Sequence, residues 1–107
     1  MNEQQTKDRQ IVFLKAHEQE MTDYIKTQSD KVSSVSYSWK KMSVETIGNG
    51  LPQGGGDIFK LRITIFDKNH EEINAFGFAV EPDNVEDPIL IKRMYTINAD
   101  YTYFKGV

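Results

Sequence analysis

Ile58-Phe-Lys-Leu-Arg-Ile-Thr-Ile-Phe66 alternates with period two. Phe59, Leu61, Ile63 and Ile65 fall on one face and Lys60, Arg62 and Thr64 on the other, the pattern of a strand with one buried side. Asp67-Lys-Asn-His-Glu71 follows, polar and rich in turn formers. Asn69 tolerates a left-handed backbone, so the reversal is expected to centre on it. Ile73 to Val80 then reads as a second strand, with Phe76, Phe78 and Val80 on one face and Ile73, Ala75, Gly77 and Ala79 on the other. The small residues of that second face leave room for bulk above them, and a helix lying across them is expected there. A hairpin alone is marginal in water, so the rest of the chain must cover this one.

Upstream, Lys7 to Thr27 contains neither Gly nor Pro. Ile11, Leu14, Met21, Tyr24 and Ile25 fall on one stripe at helical spacing, with His17 and Glu18 beside it. The spacing predicts one amphipathic helix of about five to six turns, capped by Thr6 and favoured by Asp8 in its first turn. Residues 1–5 are expected to fray. Val35, Tyr37 and Trp39 alternate with Ser34, Ser36 and Ser38, a strand with its apolar side inward. Lys40-Lys41 interrupts this pattern before Met42 to Ile47 resumes it, and a bulge bending one long strand is the preferred reading over two short strands. Gly48-Asn-Gly-Leu-Pro-Gln-Gly-Gly-Gly56, with five glycines and one proline in nine residues, is a loop. Glu81-Pro-Asp-Asn-Val-Glu-Asp-Pro88 is a second loop, acidic and bounded by prolines. Ile89 to Phe104 is again extended, and Ile97 and Ala99, which share the parity of Tyr95, Tyr101 and Tyr103, draw those tyrosines toward the core; on the other face they would form an aromatic contact surface. The fold class is therefore α+β: one N-terminal helix packed on a curved four-stranded antiparallel sheet, a single domain over 1–107.

Composition narrows the function classes. Net charge is −3 with both signs mixed along the chain, which argues against a general nucleic-acid binder with its basic stripe. There is no cysteine, so thiol catalysis, disulfides and thiolate metal sites are excluded. His17 with Glu18 and Glu20, and His70 with Asp67, Glu71 and Glu72, each offer one imidazole among carboxylates, too few ligands of the right type for a transition-metal site. No metal and no cofactor are expected. Gly54-Gly-Gly56 lacks the lysine, the hydroxyl residue and the helix that a phosphate loop requires. No serine stands in a nucleophile elbow. No run approaches the roughly 18 apolar residues of a membrane span. Read at face value the chain is cytoplasmic; if a leader has been removed, it is exported.

Tyr24-Ile-Lys running into Val32-Ser-Ser-Val-Ser-Tyr37, followed by Gly50-Leu-Pro-Gln-Gly-Gly-Gly56 ahead of Ile58 to Phe66, resembles the cystatin-like architecture of a helix clasped by four antiparallel strands. More narrowly it resembles small uncharacterised families of Gram-positive bacteria, often exported as short lipoproteins. The likeness spans residues 10–104. It implies the fold, almost nothing about activity, and a cell-surface lipoprotein if a leader with its lipobox cysteine has been removed. True cystatins insert a Gln-x-Val-x-Gly tip into a cysteine protease. Gln53-Gly-Gly-Gly56 lacks the valine and no Pro-Trp pair follows, so protease inhibition is not carried over.

The reading that results is a non-enzymatic binding module with a protein partner. Its candidate contacts are Leu51, Gln53, Gly54 and Gly55 of the glycine loop and Asp83 and Glu86 of the acidic loop. The alternatives are a small inhibitor or immunity-type protein using the acidic loop, and an enzyme with a pocket between helix and sheet. Replacing Leu51 and Gln53 together by Ser is expected to leave the melting temperature nearly unchanged while weakening capture of the partner. Unfolding of that variant would make Leu51 a core residue and the loop structural.

Overall fold

The computed structural model describes residues 3–47 and 56–97. Two helices, α1 (Glu3–Ala16) and α2 (Glu18–Gln28), precede four strands, β1 (Ser34–Ile47), β2 (Gly56–Phe66), β3 (Glu72–Pro82) and β4 (Ile91–Ile97). The strands form one antiparallel sheet in the order β1-β2-β3-β4. The α+β class and the four-stranded meander are as expected. The single helix is not. His17 lies between α1 and α2 with φ −106° and ψ 14°, the bridge region of backbone space. Its N–H bonds to the carbonyl of Leu14, three residues back rather than four, at 3.0 Å. The ladder tightens there without a glycine or proline to announce it. The His17 ring packs on Phe13, centroids 4.6 Å apart, and Nδ1 meets the Glu20 carboxylate at 2.9 Å. Thr6 lies inside α1 rather than capping it, and Glu3 to Gln5 are helical rather than frayed.

The register of β2 on β3 decides how the sheet is covered. Phe59 stands opposite Val80, Leu61 opposite Phe78 and Ile63 opposite Phe76. Directly opposed residues share a face, so the bulky positions of both strands form one surface. Leu14, Met21 and Ile25 are fully buried in the same cluster, Phe13 meets Phe59 at 6.2 Å between ring centroids and Tyr24 meets Phe78 at 5.9 Å. The helices therefore cover the large side chains of β3, not the small ones as expected. The reason is area: aromatic and branched side chains gain most from leaving water.

The small residues have a different use. Lys60 stands opposite Ala79, Ala79 opposite Tyr95, and Gly77 opposite Ile97, all on the face away from the helices. A Cβ at Gly77 would lie 3.2 Å from Ile97 Cβ and 3.4 Å from Lys60 Cε. Among the described residues, long neighbours thus fold over Gly77 and Ala79 and bury both. Tyr95 and Ile97 belong to this outer face, which corrects the expectation that they point to the core; Met94, opposite Val80, packs on the core instead. Tyr101 and Tyr103 lie outside the described residues.

Val35, Tyr37 and Trp39 pack toward the core as expected, and β1 is one strand with a bulge. Ser38 pairs with Arg62 and Ser43 with Lys60, so Trp39 to Met42 stand against Leu61 alone. Inward positions pass from odd to even numbers across the bulge, Trp39 to the buried Met42, while Lys40 and Lys41 remain exposed. At the β2–β3 turn the left-handed residue is His70, φ +61°, not Asn69. The Asp67 carboxylate accepts the N–H groups of Asn69 and Glu71 at 2.8 and 2.9 Å, and the His70 ring stacks on Phe66 at 4.7 Å. The stacking offsets the cost of placing a non-glycine residue there. Among the described residues no helix is long and apolar enough to cross a membrane.

Leu61 is 1% exposed and sits in the cluster with Ile63 and Leu14. Leu61→Ala should cost about 2–5 kcal/mol, read as a lowered denaturant midpoint at unchanged slope. An unchanged midpoint would mean that the faces have been assigned the wrong way round.

Candidate functional site

Antiparallel order carries the C-terminal end of β1, the N-terminal end of β2, the C-terminal end of β3 and the N-terminal end of β4 to the same edge of the molecule. The pairings Ile47–Gly56 and Pro82–Ile91 mark that edge. The loop from Asp83 to Leu90 crosses it. It is pinned at both ends: the Asp83 carboxylate accepts the N–H groups of Ile89 and Leu90 at 2.9 and 3.2 Å, and the Asp83 N–H donates to the Leu90 carbonyl at 3.1 Å. Inside it, Asn84 Oδ1 accepts from the N–H groups of Glu86 and Asp87 at 2.8 and 3.1 Å. From α1, the buried Gln10 donates its side-chain N–H to the Val85 carbonyl at 2.7 Å. The loop is therefore a shaped element tied to a helix.

Two apolar side chains stand out from it. Ile89 is 72% exposed and Leu90 50%. Glu86 and Asp87 beside them are exposed as well. A groove of about 510 Å³ runs along the loop, lined by Gly56, Asp57, Glu81, Asp83, Glu86 and Lys92, among others. Three of its carboxylates have protein partners: Asp57 accepts from Thr46 Oγ1 at 2.7 Å, Glu81 pairs with Arg93, and Asp83 holds the loop. Gly56 has φ +128°, where a side chain is strained, and a Cβ there would lie 3.6 Å from the Glu81 carboxylate.

Of the residues expected to make contacts, Asp83 and Glu86 line this groove, together with the last glycine of the glycine loop. Leu51, Gln53, Gly54 and Gly55 lie outside the described residues. The role of Asp83 is more specific than an acidic surface contact, because its carboxylate is committed to the loop backbone. Ile89 and Leu90 were not expected. Ile89, Leu90 and Ile91 break the strict alternation of a half-buried strand, and an apolar run entering an edge strand must turn some of its members to solvent.

The apolar cluster lies between helices and sheet, and among the described residues the buried polar ones are Gln10 and Ser29. Among the described residues no three His, Asp or Glu side chains gather to hold a metal ion. No family model matches the chain, and no curated protein or solved structure matches it.

The N–H groups of Ile89, then Leu90, hold the Asp83 carboxyl below its ordinary value of 3.8. The fastening is thus complete above the ordinary carboxylate range and is lost as pH falls through the lowered value. In an NMR titration the amide protons of Ile89 and Leu90 should shift together, with a midpoint below 3.8. Midpoints at or above that value would remove Asp83 from this role.

Proposed function

We propose that this protein is a non-enzymatic interaction module that engages a protein partner through the end of the sheet carrying the 83–90 loop. The observation that carries this reading is the pair Ile89 and Leu90, held in the open by a loop whose backbone is fixed through Asp83, Asn84 and Gln10. Large apolar side chains on a pre-shaped loop bind at a low ordering cost, and a polar rim around an apolar centre is the usual anatomy of a contact patch. Glu86 and Asp87 supply that rim and favour a basic surface opposite. An inhibitor or immunity-type role is the form this takes if the partner is blocked by the contact.

The finer features of the reading go with it. We take the helical segment against the meander as a cystatin-like arrangement, and place the chain among short exported proteins of the Gram-positive cell envelope. The element order, one helical region followed by four strands in a meander, supports the first of these.

The double substitution Ile89→Ser, Leu90→Ser removes the apolar centre from positions that are not in the core. Its melting temperature should stay within about 4 °C of the parent, since exposed substitutions rarely exceed about 0.5 kcal/mol each. Affinity capture from cells that make the protein should lose the partner retained by the parent chain. Equal retention by both proteins would remove this loop from the interface.

A further inference from the structure

A second surface lies away from the loop end, at the bulge of β1. Tyr37 and Trp39 stack there with ring centroids 5.0 Å apart and planes 18° from parallel. Lys15, from the last turn of α1, holds its ammonium 5.8 Å from the centre of a Trp39 ring. Lys40 and Lys41, adjacent in sequence at the bulge, both line the same groove as Lys15, and Lys41 also borders the outer face of the sheet beside Glu45 and Lys60. The groove measures about 490 Å³. All three lysines are exposed, and among the described residues none of them takes part in a salt bridge.

The aromatic floor is tied to α2. The Tyr37 hydroxyl is hydrogen-bonded to Thr22 of α2 at 2.8 Å, and burial pushes its pKa up to about 12, so it stays neutral and adds no negative charge to the groove. β1 is an edge strand that pairs with β2 alone among the described strands. An edge strand leaves backbone groups open to an added extended segment.

The geometry points to a binding site for an extended acidic peptide segment of a partner protein, its carboxylates on Lys15, Lys40 and Lys41 and an apolar side chain against Trp39. Charge decides the occupant. The basic region is bounded by Glu18 and Asp23 of α2, whose charges are felt at Tyr37, and the whole chain carries −3. A nucleic acid running along β1 would place phosphates against these carboxylates, whereas a short acidic segment ends within the basic region. Three ammonium groups beside an apolar floor recognise both the charge and the apolar body of such a segment. This site is independent of the loop-end reading and survives or fails without it.

Trp39 is the one tryptophan of the chain, so its emission reports on this groove directly. The probe is a synthetic peptide alternating Glu with Leu and Phe, titrated at low salt, alongside its Lys-for-Glu counterpart and a short thymidine oligonucleotide. The acidic peptide should give a saturable change in Trp39 emission. The variant Lys40→Glu, Lys41→Glu, with its melting temperature checked, should weaken binding by about tenfold or more. If that variant melts early, Lys15→Glu on the helix carries the same expectation. The proposal is overturned by any of three results: no saturable change up to roughly millimolar acidic peptide, equal binding of the basic peptide, or unchanged affinity in a folded lysine variant. Tighter binding of the oligonucleotide would also overturn it, and would make the groove a nucleic-acid site.

Discussion

The pairing of Leu61 with Phe78 and of Ile63 with Phe76 is the constraint from which the rest of the molecule follows. Strand alternation alone divides each strand into two faces. Pairing two strands bulk against bulk makes one face of the sheet strongly apolar and leaves the other nearly flat. The apolar face must be covered, and α1 and α2 supply Leu14, Met21, Tyr24 and Ile25 to do so. On the other face, Lys60, Tyr95 and Ile97 lie over the shallow positions at Gly77 and Ala79. Among the described residues, the ends of the sheet and the outer edge of β1 then remain to meet other molecules.

How far the sequence discloses this depends on what kind of information each feature needs. The alternation of Phe59, Leu61, Ile63 and Ile65 is local, and it identifies β2 and its buried side without help. Lys40-Lys41 between two apolar runs likewise betrays the bulge in β1. The face of β3 and β4 is a different matter. Period two separates Phe76 and Phe78 from Ala75 and Gly77, and Met94 from Tyr95, but the sign of each face is set only by register against a neighbouring strand. The glycine and alanines of β3 suggest a seat for a helix, whereas they are a seat for the side chains of β2 and β4. Nothing local marks His17 as the break between α1 and α2, since it carries neither the missing N–H of proline nor the freedom of glycine. At the β2–β3 turn, residue preference favours Asn69, but the stacking of His70 on Phe66 outweighs it.

The candidate site shows the same division. Two breaker-rich loops are plain in the sequence, and antiparallel order brings Ile47 and Gly56, which flank the one, to the same edge as Pro82 and Ile91, which flank the other. Asp83 and Glu86 are plain as acidic residues. That Asp83 reaches six and seven residues ahead to the N–H groups of Ile89 and Leu90 is not, because no short motif encodes that closure. The closure turns Ile89 and Leu90 from strand residues into an exposed pair. Asp83 thus acts on recognition through the backbone it holds, and the apolar pair makes the contact.

Site-specific photo-crosslinking separates this arrangement from generic exposure. Val12 on α1 is 65% exposed and Leu90 is 50% exposed, so chemical accessibility alone gives no advantage to the loop. A photoactivatable side chain placed at position 90 in cells that make the protein is predicted to yield a discrete adduct with one partner, and the same group at position 12 none. Adducts of equal yield at both positions, or an adduct at position 12 alone, would contradict the assignment of the 83–90 loop as the surface through which this protein works.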